Sequence, residues 1–142
     1  MSKIQVPNED LKSWLAELKP FQRSTLEHFM ESMEAEAAAE RWLSTIGTPN
    51  LVGFGGAGVT DPKPFLERFK TEFHKFLCDD NAYSDEKKEI TGQMPISKTV
   101  LISMISSAIG AHMGTAGTLI APAVTLFLFT IGKMGINAYC SK

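Results

Sequence analysis

The fold of this chain is decided by residues 98–133, KTVLISMISSAIGAHMGTAGTLIAPAVTLFLFTIGK. Apolar residues fill this stretch almost continuously, and its only charged residues are the lysines at its two ends. Gly114-Thr-Ala-Gly117 divides it into two arms and is typical of a turn. Each arm is long enough for a helix and too long for a single strand. We therefore predict a C-terminal hairpin of two apolar helices.

Acidic residues are distributed unevenly along the 142-residue chain. All 16 lie at or before Glu89, so residues 1–89 carry a net charge of −5. Residues 90–142 contain no acidic residue and three lysines, Lys98, Lys133 and Lys142. Because charged side chains keep a protein surface in water, the acid-free segment must be covered in some way. The protein interior, a partner and a lipid bilayer all satisfy this requirement.

The lengths of the two arms bear on the lipid interpretation. About 17 and 22 residues give helices of roughly 25 and 33 Å at about 1.5 Å per residue. A bilayer core needs about 20 apolar residues, so the second arm is long enough and the first is marginal. Lysines flank the hairpin at both ends, which favours placing both ends on the same side of a membrane. A hairpin buried as the core of a helical bundle fits the same pattern.

Small residues follow the hairpin at positions that allow close helix packing. Ser106, Gly110 and Gly114 are spaced by four residues, and the last two form a GxxxG pattern. We predict a set of helix-packing or membrane-insertion residues: Ser106, Gly110, Gly114, Gly117, Gly132 and Gly135. His112 lies near the predicted turn. We interpret it either as a pH-sensitive tip that must be neutral to enter lipid, or as an exposed loop histidine.

The front half is predicted to contain amphipathic helices. One begins with Asn8 as N-cap, and a second begins near Pro20 and ends at Gly47 and Pro49. A further helix begins at Asp61–Pro62. It has a stripe of four phenylalanines, which we predict as core from their helical spacing. Residues 84–86 open a short helical turn. The predicted fold class is all-α. We expect a single domain, 1–142, with a charged amphipathic part, 1–92, and the acid-free apolar hairpin, 93–142.

A glycine-rich connector at residues 48–61 contains the spacing GxGxxG. Its glycines are Gly53, Gly55, Gly56 and Gly58. In a dinucleotide-binding fold these residues lie between a strand and a helix, whereas here only Leu51–Val52 precedes them as strand-forming sequence. A nucleotide-binding or enzymatic module around this loop is therefore the least favoured hypothesis. We predict a hinge loop between the front and back halves.

Other site types find little support in the sequence. Cys78 and Cys140 are too few for a disulfide scaffold and have no zinc-ligand spacing, so we predict free thiols that fill the core. The acids of residues 79–86 lack the glycine and glutamate positions of a calcium loop. No nucleophile and base are placed together by sequence, and no basic stripe indicates nucleic acid. We expect no catalytic residue, metal or cofactor.

These patterns predict a small non-enzymatic helical protein that acts through its hairpin, by membrane association and permeabilisation or by self-assembly. The alternative is a soluble helical adaptor or oligomer subunit whose hairpin is only core or interface. Expected partners are a lipid bilayer, a protein, or further copies in a homo-oligomer, without nucleic acid. With free thiols and no apolar N-terminal run, we expect a cytoplasmic protein, either free or peripheral to or inserted at the inner face of the membrane.

Overall fold

Helices make up most of the chain. The computed structural model describes residues 4, 6–52, 63–79, 81–93 and 96–141, and within these it contains helices and no strand. The helices are α1 (Leu11–Leu15), α2 (Pro20–Phe29), α3 (Ala35–Val52), α4 (Lys63–Cys78), α5 (Ser84–Gly92), α6 (Lys98–Met113), α7 (Gly117–Met134) and α8 (Ile136–Cys140). The all-α prediction is confirmed.

The first helix begins later than the sequence indicated. Asp10 is the N-cap of α1, because its Oδ1 accepts a hydrogen bond of 2.8 Å from the backbone N–H of Ser13. The prediction of Asn8 as N-cap is wrong, since the residue that reaches the free N–H groups of the first turn is Asp10. Pro20 is the first residue of α2, as predicted.

The single long helix predicted after Pro20 is two helices. Backbone hydrogen bonds from Glu31 to His28 and from Ser32 to Phe29 close tight turns at the end of α2, and α3 begins at Ala35. α3 then continues past Gly47 and Pro49 to Val52, so the predicted stop is wrong. α3 as a whole packs against α4 and α7.

Helix α7 lies at the centre of the bundle. It packs most extensively on α3 and α6 and also contacts α1, α2 and α8. Its buried residues are Ile120, Pro122, Ala123, Val124, Thr125, Leu126, Phe127, Leu128 and Ile131. The front helices supply the opposing side of the same core. The predicted apolar stripes therefore cover the C-terminal hairpin.

Aromatic packing joins α4 to α7. Phe69, Phe73 and Phe76 are almost fully buried, so the predicted phenylalanine stripe is core. The Phe127 ring of α7 lies 5.7 Å from the Phe69 ring and 5.4 Å from the Phe73 ring, measured between centroids. Tilted rings at these distances interact favourably beyond the area they bury. This cluster fixes the middle of α7 against α4.

Both arms of the hairpin form as helices, with bounds set by caps. Ser97 caps α6 through a hydrogen bond from the Val100 N–H to its Oγ. Gly114 ends α6 with φ +74°, a conformation that favours glycine. The second arm ends at Met134 after 18 residues and is shorter than predicted, because Gly135 has φ +93° and the chain restarts as α8.

Candidate functional site: the hairpin and its contacts

Three of the small residues predicted for helix packing form the α6–α7 contact. A Cβ built on Gly110 would lie 2.7 Å from the carbonyl oxygen of Thr115, and one on Gly117 would lie 3.1 Å from the backbone of Ser106. Ser106 itself is 2% exposed. The two helix backbones therefore meet closely where only glycine fits, and the small-residue surface is used inside the chain.

The other three predicted small residues lie elsewhere. Gly114 and Gly135 are turn residues with positive φ and open space around the Cβ position. Gly132 faces the N-terminal segment instead of α6, because a Cβ there would collide with the carbonyl oxygen of Pro7. The six positions consequently do not form one continuous packing surface. The regular spacing stops at Gly110, since α6 ends before Gly114.

Pro122 lies inside α7, where its missing N–H leaves the Thr118 carbonyl without its helical partner. The side chain of Gln22 replaces that partner, because its Nε2 donates a hydrogen bond of 3.1 Å to the Thr118 oxygen. Gln22 is 5% exposed, and its Oε1 accepts a weaker bond from the Lys19 N–H at the start of α2. This buried glutamine thus joins the beginnings of α2 and α7.

Two further donors reach backbone carbonyls beside the hairpin turn. The indole Nε1 of Trp42 donates to the Leu119 oxygen at 2.7 Å, and the guanidinium of Arg68 donates to the His112 oxygen at 3.2 Å. With Gln22, these donors come from α2, α3 and α4. Side chains of three front helices therefore hold the turn end of the hairpin through its backbone.

The contact of Gln22 with Thr118 can be tested by a double-mutant cycle. We expect Gln22→Ala to lower the free energy of unfolding by about 1–3 kcal/mol, because it leaves a buried carbonyl without a donor. In a Pro122→Ala background the helix regains the missing N–H, so the same substitution should cost about half as much or less. Urea unfolding followed by circular dichroism measures each difference.

The matched control for this cycle is Gln93→Ala, which removes an exposed glutamine side chain at the end of α5. It should change the free energy of unfolding by less than about 0.5 kcal/mol in both backgrounds. An equal cost for Gln22→Ala with and without Pro122 would show that the hydrogen bond does not serve the proline.

His112 takes part in a polar cluster between α4, α5 and α6. Its Nε2 lies 3.4 Å from Oε1 of Glu72, and its side chain is 53% exposed. The same Glu72 oxygen accepts a hydrogen bond of 2.7 Å from the Tyr83 hydroxyl, while Lys75 approaches the other oxygen at 3.6 Å. Glu72 is 5% exposed, so a buried carboxylate faces the hairpin turn. The pH sensitivity of His112 stays a prediction.

Electrostatics keep both tyrosines of the chain neutral at ordinary pH. Burial raises the pKa of Tyr83 well above its usual value, and the neighbouring Glu72 carboxylate raises it further. Burial, with a smaller contribution from Glu36, raises the pKa of Tyr139 to about 12. The Tyr83 hydroxyl therefore remains a donor to Glu72. The arrangement holds the carboxylate in place and supplies no activated nucleophile.

The two cysteines are paired, so the prediction of free thiols is wrong. Cys78 at the end of α4 and Cys140 at the end of α8 form a disulfide across 62 residues of sequence. Two cysteines without a recognisable spacing were predicted to fill the core, whereas the fold brings the ends of α4 and α8 together. The pairing removes the support that free thiols gave to a cytoplasmic location, which stays a prediction.

Two of the predicted features lie outside the residues that the structure describes. This applies to the hinge loop with Gly53, Gly55, Gly56 and Gly58, and to the Asp61–Pro62 helix start. Residues 48–52, which were predicted to begin this loop, are instead part of helix α3. Among the side chains that the structure describes, no group of three or more His, Cys, Asp or Glu residues is arranged to hold a metal ion.

The comparisons with known proteins give no relative: no protein family, curated protein or solved structure matches this chain. The function has therefore to be argued from the chain itself. Sequence reasoning missed Gln22, Trp42 and Glu72 as contacts of the hairpin. Only the first had a signal, because a proline within a helix implies a carbonyl that needs another donor.

Proposed function

We propose that this protein is a non-enzymatic, bilayer-associating protein whose C-terminal hairpin leaves the bundle and enters lipid. The observation that supports the proposal is α7, which is long and apolar enough to cross a membrane. It has 18 residues, a mean hydropathy of 1.5 and half of its residues buried. At about 1.5 Å per residue it is about 27 Å long, close to the hydrocarbon thickness of about 30 Å.

The charge distribution suits the same proposal. Neither α6 nor α7 contains an acidic residue, so insertion buries no carboxylate. Lys98 begins α6 and Lys133 lies in the last turn of α7, which places both cations at the open end of the hairpin. That end would stay at the membrane interface and the turn would point into the bilayer. His112 beside the turn would enter as the neutral imidazole.

Release of the hairpin requires few polar contacts to break. The donors from Gln22, Trp42 and Arg68 act on hairpin carbonyls near the turn. Lys98 forms an ion pair of 2.7 Å with Glu9 at the other end. The pair of His112 with Glu72 and the hydrogen bond from the Thr99 hydroxyl to Glu17 must break as well. The remaining cover is apolar, and lipid can replace it. Self-assembly through the exposed hairpin would follow the same release.

Flotation with anionic phospholipid vesicles tests the proposal. The protein should rise with the vesicles, at neutral or at acidic pH, and stay bound in high salt. Leu119→Glu should reduce the floated fraction roughly tenfold or more, because it places a charge on the inserting helix. Leu119 is 40% exposed in the fold, so this substitution spares the core.

The matched control is Phe21→Glu, which changes an apolar side chain on α2 that is 64% exposed. It should leave flotation nearly unchanged. A protein that stays at the bottom of the gradient at every pH contradicts the proposal, and an equal loss in both variants would show surface binding without the hairpin.

A second function is favoured by the close packing of Gly110 on the α6–α7 turn and by the burial of α7. In this alternative the hairpin is only core, and the protein is a helical adaptor or oligomer subunit. Its exposed apolar side chains would then form the interface: Phe21, Val100, Leu119 and Met134. Light scattering without detergent distinguishes the two, since the alternative expects a monodisperse species that ignores vesicles.

A further inference from the structure

A crevice of about 180 Å³ lies between the start of α2 and the hairpin. Its lining includes Leu18 and Gln22 from the front half, Ile102 and Ser106 of α6, and Ala121 of α7. Three of these side chains are apolar, and further hydroxyl-bearing residues of α6 also line the crevice. The crevice is therefore an apolar space with a hydrogen-bonding strip.

The hydroxyl of Ser106 is the unusual feature of this crevice. Ser106 is 2% exposed, and its Oγ has no hydrogen-bond partner in the described part of the protein. By contrast, the hydroxyls of Thr125 and Thr130 on α7 each donate a hydrogen bond to the carbonyl four residues earlier. A buried hydroxyl without a partner costs free energy, so Ser106 is a group that a ligand could satisfy.

We propose that this crevice binds a small neutral amphiphile, a molecule with an apolar body and one hydroxyl or carbonyl group that bonds to Ser106. The volume fits one ring, since an apolar cavity of about 150 Å³ in another protein binds benzene. The Glu17 carboxylate at the rim already accepts a hydrogen bond from the Thr99 hydroxyl, and Lys19 at the rim is exposed. The interior therefore offers no free charge to an ionic ligand.

The site is independent of the proposed bilayer function. It uses the folded bundle, because the crevice exists only while the start of α2 lies against both arms of the hairpin. A ligand placed there would bridge the two halves of the chain and stabilise the folded state in proportion to its occupancy.

Phenol and benzene, which differ by one hydroxyl, are the probes. NMR titration of the Gly117 amide, whose residue lines the crevice, gives both affinities. Phenol should bind three- to tenfold more tightly than benzene, the range expected for one hydrogen bond. Ser106→Ala should abolish that difference while leaving benzene binding unchanged. Without a probe the same variant should have an equal or higher Tm, because it removes an unsatisfied group.

Two variants complete the test. Ala121→Leu should fill the crevice and weaken both probes more than tenfold, while Ser32→Ala, an exposed serine outside the crevice, should change neither affinity. Equal affinities for phenol and benzene would overturn the proposal. So would a lower Tm for Ser106→Ala without a probe, because the hydroxyl would then already have a partner. A further contrary result is that the probes still bind to the Ala121→Leu variant without shifting the NMR signal of the Gly117 amide. They would then bind outside the crevice, and this result would also overturn the proposal.

Discussion

Replacing Gly110 by alanine should lower the free energy of unfolding by about 2–3 kcal/mol. The new methyl group would lie 2.7 Å from the Thr115 oxygen and 3.1 Å from the Gly117 nitrogen, and both are backbone atoms that cannot turn aside. The Thr115 N–H also bonds to the Gly110 carbonyl at 2.9 Å, so the turn is held to the same residue. Chemical denaturation of the purified variant measures the loss.

Gly92→Ala is the matched control, because it is also a glycine in a helix of the same chain. Gly92 ends α5, and a Cβ built there meets nothing within 4 Å. Alanine is the better helix former, so this variant should be unchanged or more stable by up to about 1 kcal/mol. If both variants had the same stability, the close approach of the two hairpin helices would be wrong.

Reducing the disulfide should produce the largest loss of stability in this protein. Closing a loop between Cys78 and Cys140, 62 residues apart, removes entropy from the unfolded chain worth about 4 kcal/mol. The double variant Cys78→Ser, Cys140→Ser should unfold at a lower urea concentration by a corresponding amount. Comparison of the unfolding midpoints with and without a thiol reductant measures the same quantity on the natural sequence.

The double variant is also the control for the reductant, which should not change its midpoint. A natural-sequence protein whose midpoint is unaffected by the reductant would show that its two thiols are free in solution. The loss on reduction should be larger than that of Gly110→Ala, since it acts on the whole unfolded chain rather than on one contact.

Local signals predicted most of the architecture. Pro20 marks a helix start and Gly114 marks a helix end, and both follow from local conformational preferences. The phenylalanine stripe of α4 was predicted as core from its spacing alone. The local stop signal failed at one place, since α3 continues through Gly47 and Pro49.

The candidate site was predicted less completely, because its partners are distant in sequence. Ser106 and Gly110 were predicted from small residues at helical spacing, and Gly117 from the predicted turn. Gln22 and Trp42 contact the hairpin across 96 and 77 residues, and nothing within a helical repeat indicates such a pair. The prediction of free cysteines failed for the same reason. Formation of the disulfide depends on the direction that α8 takes after Gly135, which no local pattern specifies.

The bond between Cys78 and Cys140 also gives the chain a topology. Residues 78–140 form a closed covalent ring that contains α5, both arms of the hairpin and α8, and the preceding helices are attached to this ring at one point, Cys78 at the end of α4. A ring cannot release one arm as a free end. While the bond is intact, the hairpin can move only as a loop, with its two stems kept at a common anchor.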